Sequence, residues 1–336
     1  MKIRVIYETS YKGNGVYTSF VDHVSLMQPK ENEDIKLIIN DEEGDADILH
    51  SHTYSPYFFW KGWRYKKRRV LTVHVIPDSI KGSLPMSKWM MPIVRWYFKH
   101  VYSYADVCIA IAPHVKEAIE ELGSKTRIVN IYNPIFLEKW QRTDEKRKMG
   151  RALLKLDENA FVVLGVGQLQ ARKGVEDFID IAAQIPEAQF CWVGGRPLKM
   201  TEGINRINQR IQQAANNTHF MGMFNLEEMP LVYAAADLML FPSYQENCPL
   251  APLEAAGSGI PVIFRDLSEY ALLYENPYLK AASNDEFVSM TKKMVTSPDF
   301  YQRGVMISQQ LIKQFEKETV RKKLLALYHE LLNQPS

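Results

Sequence analysis

The sequence predicts an α/β protein made of two doubly wound, Rossmann-like domains facing a cleft, and three observations predict it. Short runs rich in Val and Ile alternate with helical patterns. The alternation stops in one charged stretch and then restarts. The 336 residues exceed what a single core holds comfortably and suit two domains of ordinary size.

Taken in order, KIRVIY, DIKLIIN, DADILHSH, RVLTVHV, ADVCIAIA and RIVNIY read as strands, and their near-continuous apolar content suits a parallel sheet covered on both faces. From about Phe136 to Asn159 the chain is charged and has no strand pattern. That break separates a first domain, residues 1–145, from a second, residues 150–315. In the second, FVVLGVG, AQFCWVGG, NNTHFMGM, ADLMLFPS and IPVIF are the strands, separated by helical stretches such as GVEDFIDIAAQI. Near the end, Leu324, Leu327, Tyr328 and Leu331 repeat at the helical period. This helix, about 317–336, can pack on either domain, including back on the first.

Composition narrows the class. A hydrophobic fraction of 46% and a charged fraction of 24% are those of a soluble globular protein. No apolar run has the length of a bilayer span, and the N-terminus lacks a signal-peptide pattern. Cys108, Cys191 and Cys248 are far apart and odd in number, which suits a reducing compartment, so a cytoplasmic protein is expected. The net charge of +2 conceals a polarity. From Pro56 to Tyr102, ten basic residues meet a single acid, Asp78, leaving the rest of the chain net negative.

The segment of densest chemistry is FPSYQENCPLAPLEAAGSGIPVIF, residues 241–264. Pro249 or Pro252 can occupy a first helical turn, and Gly257 or Gly259 can end the helix. The N–H groups of about Asn247, Cys248, Pro249 and Leu250 (all but the proline's) then form an anion site of diphosphate size. Glu254, inside the helix, can accept hydrogen bonds from ribose hydroxyls, and Glu246, before it, from a sugar. Spacing alone fits equally an ordinary αβ connection with two exposed glutamates.

This segment resembles the E-x7-E signature of retaining glycosyltransferase family 4, and several further motifs resemble the family in order. Gly13-Asn14-Gly15 follows the first strand. Arg172-Lys173-Gly174 follows FVVLGVGQL as a contracted R-x-x-K-G. VGGRP, FMGM and ADLMLFPS fall in their expected places, and FEKETVRKKLLALYHEL resembles the closing helix. The resemblance implies a GT-B fold and assigns roles. Arg172 and Lys173 would neutralise the donor diphosphate as charge develops on the leaving group, in place of a metal. Gly15 would admit the phosphate closely. His74 would reach the transferred sugar, and Glu246 would hold its hydroxyls. Gly167, Phe224 and Glu254 would complete the donor site with residues 247–250. It further implies front-face attack with retention of configuration, without a protein nucleophile; no second carboxylate is poised for double displacement. No cofactor or metal is expected, a UDP-sugar being the co-substrate. Asp45-Ala46-Asp47 is a literal D-x-D, but it reads as a strand start. His50 and His52 share a strand face without a third ligand spaced to finish a zinc site.

The basic window indicates the acceptor. Within 84–104, Met86, Met90, Ile93 or Val94, Tyr97, Val101 and Tyr104 repeat at helical spacing and are expected to face the core, with Pro92 kinking the helix. Trp63, Trp89 and Trp96 beside Arg64, Lys66, Lys67, Arg68, Arg69, Lys88, Arg95 and Lys99 make a surface suited to anionic lipid, each basic residue contributing about 1 kcal/mol. The competing reading is a solvated basic loop beside an aromatic core helix. No nucleic-acid module is present. The expectation is a hexosyltransferase, peripheral on the inner face of the cell membrane, acting from a UDP-sugar on diacylglycerol or its monoglycosyl form. Among its relatives the chain resembles bacterial glycosyl-diacylglycerol synthases. Assembly of capsule, teichoic-acid or other envelope glycans is the alternative enzyme reading, and a non-catalytic nucleotide-sugar-binding scaffold the alternative from another class.

Overall fold

The computed structural model describes residues 1–8, 15–80, 87–196, 204–246, 248–275 and 277–333. The chain divides into two compact units. Met1–Pro134 and Phe315–Ser336 form the first, and Ile135–Gln314 the second. The division falls earlier than the charged stretch suggested, because those charges are partnered within the second unit. Asp237 gathers Arg142, Arg147 and Arg151, the last fully buried and bonded to the carbonyls of Ala235, Asp157 and Ala160. Trp140 meets Tyr233 edge-on at 5.4 Å. A side chain at Gly150 would collide with the Leu231 carbonyl, so that helix needs glycine to lie this close. The charged stretch holds a pair of helices, Leu137–Trp140 and Asp144–Leu153, packed on the helices Met229–Ala235 and Leu250–Gly257 of the second unit.

The first unit holds six parallel strands: β1 (Lys2–Ile6), β2 (Lys36–Ile39), β3 (Ile48–Ser51), β4 (Arg69–Val73), β5 (Val107–Ala110) and β6 (Arg127–Asn130), in the order β2-β1-β3-β4-β5-β6. The C-terminal helix, Lys317–Asn333, packs on this unit. Arg321 pairs with Glu33, Arg127 with Glu330 and Lys30 with Glu318. The second unit is also a six-stranded parallel sheet, of different strand order, with β7 (Phe161–Val166), β8 (Ala188–Val193), β9 (Thr218–Gly222), β10 (Leu238–Phe241), β11 (Val262–Arg265) and β12 (Leu279–Ala281), in the order β12-β11-β10-β7-β8-β9. The last of these went unread in the sequence, being three residues long and close to Pro277. Phe178, Phe190 and Trp192 cross edge-on in its core.

Strand order fixes where chemistry can collect. In an open parallel sheet the crevice lies beyond the carboxyl ends of the strands at the point where winding reverses. That point falls between β1 and β3 in the first unit and between β7 and β10 in the second.

Candidate functional site

At the β7/β10 switch point the two outgoing loops are stitched together. Tyr244 N donates to Arg172 O at 2.7 Å, and Ser243 Oγ donates to the same carbonyl at 3.0 Å. Gly174 closes the short turn Ala171–Lys173 at φ 71°, a left-handed conformation, and a Cβ there would stand 2.3 Å from Pro242 O. Glycine at this position lets the two loops touch. Lys173 is thereby brought onto Glu246, which Ser243 Oγ also holds at 2.7 Å. Arg172 stands beside them, its Nη1 donating to Gln245 O at 3.2 Å and lying 4.0 Å from Glu246 Oε2. Only 10% of the Glu246 side chain is exposed, so it is not the surface glutamate that spacing alone allowed. Burial pulls the Lys173 ammonium down from its usual range, against the stabilising charge of Glu246. The cluster is one carboxylate between two cations, with a surplus positive charge at the strand ends. Gly167 sits alongside; a Cβ on it would be 3.4 Å from the Lys173 chain.

The helix Leu250–Gly257 follows, with Pro249 at its cap position and Pro252 in its first turn, where a missing N–H leaves no bond unmade. Ser258 caps its end, and Gly259 turns away at φ 78°. Glu254 accepts from Tyr233 Oη at 2.6 Å, and burial raises its carboxyl above the usual range, the tyrosine bond opposing. Cys248 is buried, and Phe224 is half-buried after β9. Asn247 lies outside the described residues, as do Gly13 and Asn14; Gly15 opens the helix Gly15–Leu26. Ser243 and Tyr233 were missed in the sequence. Ser243 had a signal, the F-P-S after a strand. Tyr233 had none, because only the fold turns its helix toward Glu254.

In the first unit the ends of β3 and β4 carry histidines. His52 Nδ1 lies 3.0 Å from His74 Nε2, their rings nearly parallel and edge to edge with centroids 5.2 Å apart. His50 is held at both nitrogens, by Tyr328 Oη at 2.5 Å and Thr72 Oγ1 at 2.6 Å. His23, from the helix Gly15–Leu26, lies edge-on to both His50 and His52, and its Nε2 is 3.1 Å from Tyr328 Oη. Burial pushes His23 and His74 down to about 3, and His50 and His52 well below their usual value, so all four rings are neutral near pH 7. His23 supplies the third imidazole that the sequence spacing lacked, with candidate ligand atoms of His23, His50 and His52 within 4.8 Å of one another. His50 uses both nitrogens on hydroxyls, however, and among the described residues no carboxylate joins the set. It is a hydrogen-bonded core beside a cavity of about 20 Å³ lined in part by Ser19, His23, His52, Thr72 and Asn133. Asp47 of the D-x-D accepts from Lys2 N at 2.7 Å, a strand-start role.

The aromatic helix, Ser87–Tyr104, bears out part of the expected core face and corrects the rest: Val101 is buried and Val94, Tyr97 and Tyr104 are half-buried, while Met86 lies outside the described residues. Phe98, Val101, Tyr102 and the following Ala105 are buried, whereas Met90 and Ile93 are exposed. The buried stripe is turned partly around the helix from the expected one and shares Val101 with it. Trp96, at 61% exposure, joins Met90 and Ile93 outside. Tyr104 and Phe98 tie this helix to the segment 54–65, where Trp60 and Trp63 are exposed with Lys61 and Arg64 against their rings. Lys66, Lys67 and Lys99 are exposed; Arg68 and Arg95 are half-buried. Two of the ten cations are neutralised by acids from outside the window, Lys61 by Asp41 and Arg69 by Asp106. Arg69 also lies over Tyr104, which takes it out of the outward set. The side chains of Lys88 and Trp89 lie outside the described ones. Among the described residues no helix is long and apolar enough to cross a membrane.

Two parallel six-stranded sheets, with a cation–carboxylate cluster and a paired-glutamate segment at one switch point, define a sugar-transferring enzyme of the GT-B class. Residues 19–139 match the family described as Glycosyltransferase Family 4, and residues 160–296 match Glycosyl transferases group 1. The chain is 30% identical over 279 residues to the alpha-galactosylglucosyldiacylglycerol synthase of Streptococcus pneumoniae, covering 82% of this chain and 74% of that one. It is 28% identical over 253 residues to the processive diacylglycerol alpha-glucosyltransferase of Acholeplasma laidlawii, covering 74% of each. Anabaena Alr3699/HepE, solved in complex with UDP and glucose, shares the fold with a TM-score of 0.77 at 15% identity, over 98% of this chain and 99% of that one. The chain belongs to the family 4 glycosyltransferases and is a hexosyltransferase.

Proposed function

We propose that this enzyme transfers a hexose from a UDP-sugar to a diacylglycerol-type lipid at an anionic membrane surface, with retention of configuration and without a metal. The observation that carries the donor half is the Arg172–Lys173–Glu246 cluster at the β7/β10 switch point. Its surplus positive charge suits a diphosphate, which gains charge as the anomeric C–O bond breaks. The N–H groups opening the helix Leu250–Gly257 add a partial positive charge. Glu254, oriented by Tyr233, meets the ribose hydroxyls, and Glu246 meets those of the sugar. The acceptor hydroxyl forms its bond to the anomeric carbon from the side the diphosphate leaves, giving its proton to a phosphate oxygen, so UDP departs and no protein nucleophile is needed. His74 meets the transferred sugar, as the family resemblance implies. The Streptococcus and Acholeplasma relatives support a glycerolipid acceptor. The exposed Trp60, Trp63, Ile93 and Trp96 beside Arg64, Lys66 and Lys99 support a lipid surface, apolar area entering the headgroups while cations meet phosphate.

The test is product analysis: the full-length protein is incubated with a panel of nucleotide sugars and vesicles containing or lacking diacylglycerol, monoglycosyl-diacylglycerol and anionic lipid. A glycolipid formed from a UDP-hexose is the expected product. Absence of glycolipid with every donor would overturn the reading. Donor hydrolysis without lipid product would retain the enzyme and discard the acceptor.

A further inference from the structure

We propose that His52 is a positioning residue for His74, fixing its tautomer and ring orientation, and that the C-terminal helix holds His52 in turn through Tyr328 and His50. This rests on the reading of His74 as the histidine that meets the sugar. β3 and β4 are parallel neighbours with Ser51 opposite Leu71, so His52 and His74 leave adjacent strands at the same end of the sheet. Their rings are nearly parallel, 23° apart, and Nδ1 of one faces Nε2 of the other at 3.0 Å. One hydrogen must lie between those nitrogens, so the tautomers of the two neutral rings are coupled, and an edge-to-edge hydrogen bond between nearly coplanar rings fixes the direction of both.

His52 is itself immobilised. His50 stacks on it at 5.0 Å and 15°, the edge of His23 meets it at 4.9 Å, and that of Phe20 at 5.9 Å. His50 cannot turn, being bonded at both nitrogens, and Tyr328 on the C-terminal helix spans His50 and His23 with one hydroxyl. His52 Nε2 is buried with no hydrogen-bond partner among the described residues, a cost that an aliphatic side chain of the same volume would not carry. Packing alone therefore does not account for His52, whereas orienting the ring at the open end of the chain does. His74 is the member that is only half-buried.

The experiment compares kcat and donor KM of full-length His74→Ala, His52→Leu, His52→Asn and the double variant His52→Leu/His74→Ala, with melting curves and 15N spectra of the histidine rings. His52→Leu is expected to lower kcat by about 10- to 100-fold, the scale on which removing the outer partner of a site histidine acts, with donor KM little changed. His52→Asn, whose amide nitrogen takes the place of Nδ1, recovers most of that loss. The double variant is no slower than His74→Ala, because His52 acts only through His74. The His74 tautomer balance shifts in His52→Leu. Tyr328→Phe, which keeps the packing, gives a smaller loss of the same kind. Wild-type kcat in folded His52→Leu, an unshifted tautomer balance, or additive losses in the double variant would overturn the proposal alone. Full activity in His74→Ala would overturn it together with the reading it rests on.

Discussion

Both units are doubly wound parallel sheets, one reversing after its second strand and the other after its third, and the carboxyl ends of their strands carry contrasting electrostatics. At the β7/β10 ends stand two cations and a carboxylate. At the β3/β4 ends stand histidines that burial keeps neutral. A charged cluster can hold an anion and respond to charge developing on it. A neutral, bonded cluster can direct a hydrogen bond without attracting the diphosphate. The sheet supplies the location, and loop composition decides which ligand it suits.

Substitutions can break this contrast. The largest effect is expected at Lys173. Lys173→Met keeps the aliphatic stem and removes the charge, and kcat should fall about 10²- to 10³-fold, as when one stabilising donor is lost from a transition state. The melting temperature should fall as well, since Glu246 keeps its charge in a mostly buried position. A variant with wild-type turnover would remove the diphosphate role from the cluster. Next, changing Lys66, Lys67 and Lys99 to Gln should weaken sedimentation with anionic vesicles by about 10²-fold, at about 1 kcal/mol per cation, while UDP affinity measured by calorimetry stays unchanged. Unaltered sedimentation would favour a solvated basic loop.

Acid sharpens the contrast between the units. An unfolded histidine binds a proton near pH 6.5, whereas folded His23 does so only near pH 3. The stability held by the neutral ring is therefore complete above about pH 6.5 and falls as pH drops through that window, by about 1.4 kcal/mol per pH unit for each such ring. His50 and His52 shift in the same direction. Hydrogen exchange at pH 5 should show β3 and β4 losing protection before β7 and β10, and equal loss would contradict the account. The smallest effect is expected for Tyr233→Phe, which removes one hydrogen bond to Glu254 and should raise the UDP Kd about 10-fold, with kcat at saturating donor preserved. An unchanged Kd would detach Glu254 from ribose binding.

These regions also differ in how far the sequence revealed them. Arg172, Lys173 and Glu246 lie in two segments that strand order joins, and both segments announce themselves, one by Gly174 after a strand and one by prolines and glycines around the paired glutamates. The architecture was legible for a similar reason: buried parallel strands read as apolar runs, and β12 escaped by its brevity. The histidine core was not legible, because it joins residues 23, 50, 52, 74 and 328, and no local pattern couples a position in the first helix to one in the last. The face of the helix Ser87–Tyr104 was legible only in part, because two apolar stripes of equal spacing overlap there at Val101 and packing of Phe98 against Tyr54 draws the second inward.

The most direct test is the stereochemistry of transfer. The full-length protein, an α-linked UDP-hexose and diacylglycerol vesicles are incubated in excess EDTA, and the anomeric proton of the lipid product is followed by NMR. The account predicts an α-linked glycolipid formed at the same rate with and without chelator. A β-linked product, or formation abolished by EDTA, would contradict it.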